Sequence, residues 1–219
     1  AVVAVVVVGI AIVGNPFYTV DETQQVVITQ FGKPMGEPVK EPGLHVKVPF
    51  VQRANYFAKN LLEWDGDAGQ IPTKDKTFIS VDCFARWRII DPLRFYESVN
   101  NERGAQKKLD DILDSATYNF ITSHHLIEVV RSTNRSLKME KLASAGLAPK
   151  LKEKDKIELG RVKMTEGIMK QASPKVRQFG IEIVDFSIKR VNYVEDVRTK
   201  VYERMIAERK QMAEKFRSE

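Results

Sequence analysis

The 219-residue sequence predicts an α+β fold, with an apolar segment at its N-terminus and a long helix at its C-terminus. Several stretches alternate apolar and polar residues with the period of two that is typical of strands. Other stretches repeat apolar residues every three or four positions, as amphipathic helices do. Hydrophobic residues make up 43% and charged residues 29% of the chain, which favours a folded body over disorder.

The first stretch, Ala1–Val13, contains no polar side chain. We interpret residues 1–20 as a transmembrane anchor that is truncated at its N-terminus, because a spanning helix needs about 20 apolar residues. The core of a signal peptide and a buried strand are the alternatives, but a cleavage site of the A-x-A type is not apparent. Asp21 and Glu22 follow the run and no Lys or Arg precedes Lys33, so we expect the main domain on the non-cytoplasmic side.

Residues 26–50 contain two predicted strands joined by a connection rich in proline and glycine. The first strand is Val26–Phe31, and we expect the second to pair with it or to lie close to it. In the second strand, apolar residues alternate with His45 and Lys47, which predicts one buried apolar face. These apolar residues are Leu44, Val46 and Val48.

This segment closely follows the predicted anchor, so its apolar residues are candidates for contact with the lipid headgroup layer. The candidates are Leu44, Val48, Pro49 and Phe50. Burial in the strand core explains Leu44 and Val48 equally well. Pro49 and Phe50, at the end of the strand, discriminate better between the two interpretations.

The middle of the chain predicts a strand followed by helices. Thr77–Ile90 alternates imperfectly, and a change of facing near Phe84 would suit a bulge. Asp91 and Pro92 then have the residue types of an N-cap and a first helical turn. The apolar residues of the next stretch, Arg103–Ile121, fall on one helical face.

Three further segments complete the predicted body. The Lys- and Glu-rich stretch 137–167 is expected to be solvated helix or loop. Val162–Arg177 is predicted as a helix that Pro174 interrupts. Ile181–Val191 alternates as a strand with a largely buried face.

The C-terminal residues 193–219 are predicted to begin a long amphipathic helix or coiled coil. Its apolar residues recur at spacings of three, four or seven; they are Val194, Val197, Val201, Met205 and Met212. A neighbouring subunit would cover this stripe, which makes the five residues candidates for an oligomer contact. Packing of the helix back onto its own domain is the alternative.

The order of six short motifs resembles the SPFH superfamily of stomatins, prohibitins, flotillins, HflK and HflC. The motifs are QFGKP at 30–34, EPGLHVKVPF at 41–50, ARWRI at 85–89, DPLRFY at 91–96, GIEIVD at 180–185 and IKRVN at 188–192. Within the superfamily the chain is most similar to the HflC family, which modulates the membrane protease FtsH. The resemblance covers nearly the whole chain.

The resemblance implies an SPFH, or band-7, fold: a membrane-proximal β-rich subdomain at 21–90 and a second α/β subdomain at 91–192. It implies a non-enzymatic scaffold that assembles with an HflK-like partner into a large ring or cage and modulates an FtsH-like protease. It further implies the bacterial inner membrane, with a single membrane pass and a periplasmic main domain. A stomatin- or prohibitin-like microdomain organiser with another client, and a membrane-bound hydrolase, are the alternative functions.

The residues with catalytic or metal-binding potential do not form a known motif. A zinc site needs three or four ligands at matched spacing, and the histidines are only His45 and the adjacent His124 and His125. Ser123 is expected to cap a short helix at His124–Val130 rather than to act as a nucleophile. The sequence predicts no enzyme, no cofactor and no metal.

Two other features bear on partners. Asp110, Asp111 and Asp114 resemble paired carboxylates, but we expect them on the solvated face of a helix. The net charge of +6 comes without a basic cluster interleaved with aromatic residues, which argues against a nucleic-acid partner. Attraction to anionic lipid headgroups remains consistent with that charge. Cys83 is the only cysteine, so no internal disulfide can form.

Overall fold

The computed structural model describes residues 15–132, 157 and 159–218. The predicted anchor therefore lies outside the described residues except for its last part, 15–20, and so does most of the Lys- and Glu-rich stretch 137–167. None of the helices that the structure describes is long and apolar enough to cross a bilayer.

The described chain contains strands in its first half, helices in the middle and a final strand–helix pair. The strands are β1 (Phe17–Val20), β2 (Gln24–Gln30), β3 (Lys33–Pro34), β4 (Gly43–Val46), β5 (Gln52–Ala58), β6 (Leu62–Asp65), β7 (Gly69–Pro72), β8 (Phe78–Ile89) and β9 (Ile181–Tyr193). The helices are α1 (Pro92–Ser98), α2 (Glu102–Ser123), α3 (Leu126–Val130), α4 (Gly160–Arg177) and α5 (Glu195–Ser218).

The described residues form two compact units, each built from separate segments of the chain. The first unit holds residues 15–65, 85–112 and 171–186. The second unit holds residues 66–84, 113–132, 157, 159–170 and 187–218. The strands β8 and β9 each contribute residues to both units, and the expected division of the chain at residues 90 and 192 stays a prediction.

The first unit contains two small antiparallel sheets. β2 lies between β3 and β5, and β4 pairs with β1, so the second predicted strand does not pair with the first. The reason lies at Phe31 and Gly32, which both have positive φ, 51° and 83°, and form a two-residue hairpin loop. The chain reverses at this turn and continues directly as β3. β3 pairs with one edge of β2, and β5 pairs with the other edge. The alternative, that the two predicted strands lie close to each other, stays a prediction.

The long strand β8 buries every second residue without interruption, so the predicted change of facing near Phe84 is wrong. The change occurs in β9, where the buried residues switch from Ile181 and Ile183 to Phe186 and Ile188. This shift leaves Asp185 outside the core, where it accepts a hydrogen bond from Arg86 at 2.8 Å. The sequence pattern alone placed Asp185 on the same face as Ile183.

The helix starts and ends follow from particular side chains. Asp91 caps α1 as predicted, because its carboxylate accepts hydrogen bonds from the N–H groups of Leu93 and Arg94, both at 3.2 Å. The predicted interruption of α4 is wrong: Pro174 lies inside the helix at an exposed position near its last turn, and the helix continues to Arg177 without the hydrogen bond that an N–H at this position would donate. Gly180 has φ +73°, and a Cβ there would lie 2.3 Å from the carbonyl oxygen of Asp91.

Candidate functional site

The two-stranded sheet of β1 and β4 presents two faces of opposite character. Its register pairs Phe17 with Val46 and Tyr18 with His45. Tyr18 is buried and its ring stacks on His45 at a centroid distance of 5.5 Å, so this face is the covered one. Phe17 and Val46 point the other way, because neighbouring residues of a strand alternate between faces.

The opposite face is apolar and exposed, and the predicted burial of the Leu44 face of this strand is wrong. Leu44 is 67% exposed, Val46 70% and Val48 52%. The small core beside β1 contains Tyr18, Val20 and Val26. In β4 the side chain that faces this core is His45, which stacks on Tyr18. The aliphatic residues of the strand therefore face away from the core, toward solvent.

The turn after β4 holds an aromatic side chain away from the body. Gln52 closes this turn: its side-chain oxygen accepts a hydrogen bond from the Val48 N–H at 2.8 Å, and its own N–H donates to the Val48 carbonyl at 3.0 Å. Phe50 lies at the tip with φ +65° and is 75% exposed. Pro49 is half-buried. Non-glycine residues seldom adopt positive φ, so the local hydrogen bonds hold Phe50 in an uncommon conformation.

Sequence reasoning missed a second exposed aromatic residue, Phe31. It lies in the hairpin loop between β2 and β3, also at positive φ, and is 85% exposed. Because Gln30 lies opposite Gln52 in the β2–β5 pair, the loop of Phe31 and the turn of Phe50 lie at the same end of one sheet. The Phe-Gly dipeptide after a strand was the available signal, since Gly32 suits a tight hairpin.

Basic residues accompany these apolar residues. Lys33 follows the Phe31 loop, Lys47 lies between Val46 and Val48, and Arg53 follows the Phe50 turn. None of these three cations forms a salt bridge within the described part of the chain. We call the exposed set the tip surface; it consists of Phe17, Phe31, Leu44, Val46, Val48 and Phe50 with the three cations.

The C-terminal stripe divides into two parts. Val194, Val197 and Val201 are half-buried. Met205 and Met212 are each about half exposed, and two large residues that the sequence pattern did not single out, Tyr202 and Ile206, are exposed beside them. The N-terminal part of this 24-residue helix is thus partly buried, whereas the part from Tyr202 to Met212 exposes apolar side chains to solvent.

The histidines lie in separate environments. His45 stacks on Tyr18, His124 Nδ1 lies 2.6 Å from the Phe120 carbonyl oxygen, and His125 Nδ1 donates to the carboxylate of Asp75. Among the described residues, no group of three or more His, Cys, Asp or Glu side chains is arranged to hold a metal ion.

The predicted helix cap at Ser123 is wrong. Ser123 is the last residue of α2, and its hydroxyl donates to the Asn119 carbonyl at 2.7 Å, so it is not free to cap α3. Instead, Asp75 in the turn between β7 and β8 caps α3, because its carboxylate accepts a hydrogen bond from the Leu126 N–H at 2.9 Å. The capping residue is thus distant in sequence, and no local pattern indicates it.

Two further side chains have structural roles. Asp110 is exposed as expected but also accepts a hydrogen bond from the buried Trp64 indole at 2.6 Å. Burial raises the pKa of the Cys83 thiol to about 12. A thiol with this pKa carries almost no thiolate at neutral pH, so it is a poor nucleophile.

Known protein families and curated proteins include clear matches to this chain. The model of the SPFH domain / Band 7 family matches residues 18–219. The chain is 36% identical to "Protein HflC" of Treponema pallidum and 32% identical to "Protein HflC" of Borreliella burgdorferi. These matches cover 97% and 93% of this chain and 68% and 64% of the relatives. The "Modulator of FtsH protease HflC" of Escherichia coli is 27% identical over the whole chain and 71% of its own length.

Proposed function

The chain belongs to the SPFH domain / Band 7 family, and from this we propose that it acts as a membrane-bound scaffold that modulates an FtsH-like protease. In this proposal the chain performs no catalysis itself, needs no cofactor and assembles with an HflK-like partner into a ring or cage. It belongs to the bacterial inner membrane, crosses it once through the part of the predicted anchor 1–20 that precedes β1 (Phe17–Val20), and holds its main domain in the periplasm. The chain spans about two thirds of the length of these relatives.

The tip surface is the observation that supports membrane attachment best. The tip surface contains six exposed large apolar side chains of the first unit, and two of them, Phe31 and Phe50, have the positive φ that non-glycine residues seldom adopt. Exposed apolar side chains of this size commonly mark interaction surfaces. Interspersed Lys and Arg suit anionic headgroups, each contributing about 1 kcal/mol near a charged membrane. We propose that Leu44, Val48, Pro49 and Phe50 contact the headgroup layer, with Phe31 as a further member.

The exposed part of α5 supports assembly. Met205 and Met212 lie on the stripe that begins at Val194, Val197 and Val201, and an adjacent subunit would remove them from water. Each large apolar side chain that is fully buried contributes roughly 1.5–3 kcal/mol. Weak contacts of this kind add up when many copies are anchored in one plane, because each further contact is effectively intramolecular.

Catalysis by the chain itself has no support in the geometry. Ser123 donates its hydroxyl to a backbone carbonyl, and the neighbouring His124 bonds to the Phe120 carbonyl. His125 is held by Asp75. Within the described residues, no hydroxyl or thiol nucleophile is hydrogen-bonded to a histidine base, which the usual covalent mechanism requires.

Purification from native membranes in mild detergent tests the proposal. A tagged chain should recover an HflK-like subunit and an FtsH-like protease in a particle far larger than a single chain. The variant Met205→Asp with Met212→Asp serves as the control, since it should remain in the membrane but lose the large particle. Recovery of the large particle with a different client and no protease would favour a microdomain organiser instead. Peptide cleavage by the chain in the absence of the protease would contradict the scaffold role.

A further inference from the structure

A cavity of about 590 Å³ lies in the second unit, beside the short helix α3. Its lining combines apolar residues, which include Leu126, Val130 and Tyr193, with the polar residues Asp75, His125 and Arg131. Cavities of 300–1,000 Å³ with mostly apolar walls and a few polar groups are typical of small-ligand sites. None of its lining residues belongs to the tip surface or to the exposed part of α5.

The one carboxylate in the cavity already has its partners. Asp75 accepts hydrogen bonds from His125 Nδ1 and from the Leu126 N–H, the latter at 2.9 Å. Partial burial pushes the pKa of Asp75 upward, but these hydrogen bonds outweigh it and keep the pKa below its ordinary value. Asp75 is therefore ionised at neutral pH, and it holds the His125 ring through Nδ1. The other ring nitrogen, Nε2, is left for a further hydrogen bond.

Arg131, the cation in the cavity, has no counter-ion among the residues that the structure describes. The Arg131 backbone is fixed, because its N–H donates to the Ile127 carbonyl at 2.9 Å and its carbonyl accepts from the Arg161 N–H at 2.9 Å. Its guanidinium makes no hydrogen bond and no salt bridge with any residue that the structure describes, although the residue is half-buried. A planar guanidinium in such a position is well suited to bind a carboxylate through two parallel hydrogen bonds.

We propose that this cavity binds an apolar group that ends in a carboxylate, as the C-terminal residue of a peptide does. The apolar side chain lies against Leu126 and Val130, and the carboxylate pairs with Arg131. Because His125 Nδ1 donates to Asp75, its Nε2 is available to accept a hydrogen bond from an N–H group of the peptide backbone. A short fatty acid has the same chemistry, and the test below separates the two sources.

The probes are the tetrapeptide acetyl-Gly-Ser-Val-Leu with a free C-terminus, the same peptide with an amidated C-terminus, and hexanoate. Binding to the full chain in lipid nanodiscs is measured by isothermal titration calorimetry. The free acid should bind about tenfold more tightly than the amide, the usual scale for hydrogen bonds to a charged group. If the natural ligand is a peptide C-terminus, hexanoate should bind more weakly than the peptide with a free C-terminus. If hexanoate binds more tightly, the cavity is assigned to fatty acids.

Two variants locate the binding. Arg131→Gln should abolish the preference for the acid peptide, whereas Arg190→Gln, an equal loss of charge at an exposed position outside the cavity, should keep it. Val130→Asp places a negative charge in the cavity at an exposed position and should remove acid binding without unfolding the chain. Equal binding of acid and amide, no saturable binding of any probe, or an unchanged preference in Arg131→Gln would overturn the proposal.

Discussion

The strands β4 and β8 have the same sequence pattern and opposite environments. Both alternate apolar with polar residues, which is typical of a strand with one buried face. In β8 the apolar face is covered: Trp87 is fully buried, stacks on Phe95 at a centroid distance of 6.4 Å and donates to the Glu63 carbonyl. In β4 the apolar face is open, with Leu44 and Val46 more than half exposed.

The difference shows what alternation in a sequence can and cannot indicate. It predicts that one face of a strand is apolar, but it does not predict which part of the same chain covers that face. β8 lies centrally, with β6, β7 and β9 as its pairing partners, whereas β4 pairs with β1 alone. An apolar face that its own unit leaves open is a candidate for contact with another molecule or a membrane.

Truncating one residue on each strand should give the largest contrast. Trp87→Ala should lower the free energy of unfolding by about 3–5 kcal/mol, since it leaves a large cavity in a packed core. Leu44→Ala should change it by less than about 0.5 kcal/mol, because little apolar area is buried there to lose. Chemical denaturation followed by circular dichroism measures both. A cost for Leu44→Ala near that of Trp87→Ala would mean that β4 is covered after all.

The contrast also explains how much the sequence could predict. The cap at Asp91, the long strand at 77–90 and the helix from Arg103 onward follow from local patterns, and the structure contains them. The partner of β4, the change of facing in β9 and the capping of α3 by Asp75 depend on contacts between distant residues. Single-sequence periodicity carries no information on such contacts.

The residues of the candidate surfaces likewise divide into those that local patterns predict and those that depend on contacts between distant residues. The stripe on α5 was predicted from its spacing, but Tyr202 and Ile206 were missed because they fall beside a strict heptad seam. Phe50 was singled out by its place at a strand end. Phe31 was missed, since its relation to Phe50 rests on the β2–β5 register, which no local pattern reveals.

The exposed part of α5 provides the next test, because it is an open apolar face on a helix. Met205→Asp with Met212→Asp should dissociate large assemblies without unfolding the body, since each apolar side chain lost from the contact is worth roughly 1.5–3 kcal/mol. Sizing in mild detergent, with circular dichroism, measures the effect. Lys200→Asp with Gln211→Asp, at exposed positions on the helix face opposite these apolar residues, should leave particle size unchanged. Intact particles in the methionine variant would exclude this stripe as the contact.

A smaller effect is expected at the tip surface, where only a few side chains would enter the headgroup layer. Bimane attached to Phe50→Cys should be quenched by brominated lipids about twofold more than bimane on Asn60→Cys, beyond the opposite end of β5. Selective labelling is possible because the native Cys83 is buried and its pKa is about 12. Fluorescence of the reconstituted chain measures the quenching. Equal quenching at the two positions would exclude membrane contact by the Phe50 turn.

The smallest effect concerns the turns at the ends of the two strands. The turn before β8 is tied to α3 by Asp75, whereas the turn after β4 is closed by Gln52 within its own segment. Asp75→Ala removes a helix cap and should cost about 1 kcal/mol at neutral pH. Asp67→Ala, which alters an exposed carboxylate of the same unit without a hydrogen bond to any described residue, should cost nothing measurable.

The pH dependence of the free energy of unfolding tests whether Asp75 stabilises the turn as a carboxylate. The folded-state pKa of Asp75 is lowered from 3.8, so its contribution to stability is fully present above that value and is lost as pH falls through the lower folded-state pKa. The gap between wild type and Asp75→Ala should therefore be constant from pH 7 down to about pH 5 and should narrow below about pH 4. Denaturant titrations at these pH values measure the gap. A gap that widens below about pH 4 would mean that Asp75 stabilises the turn in its protonated form, contrary to the hydrogen bonds from His125 and Leu126.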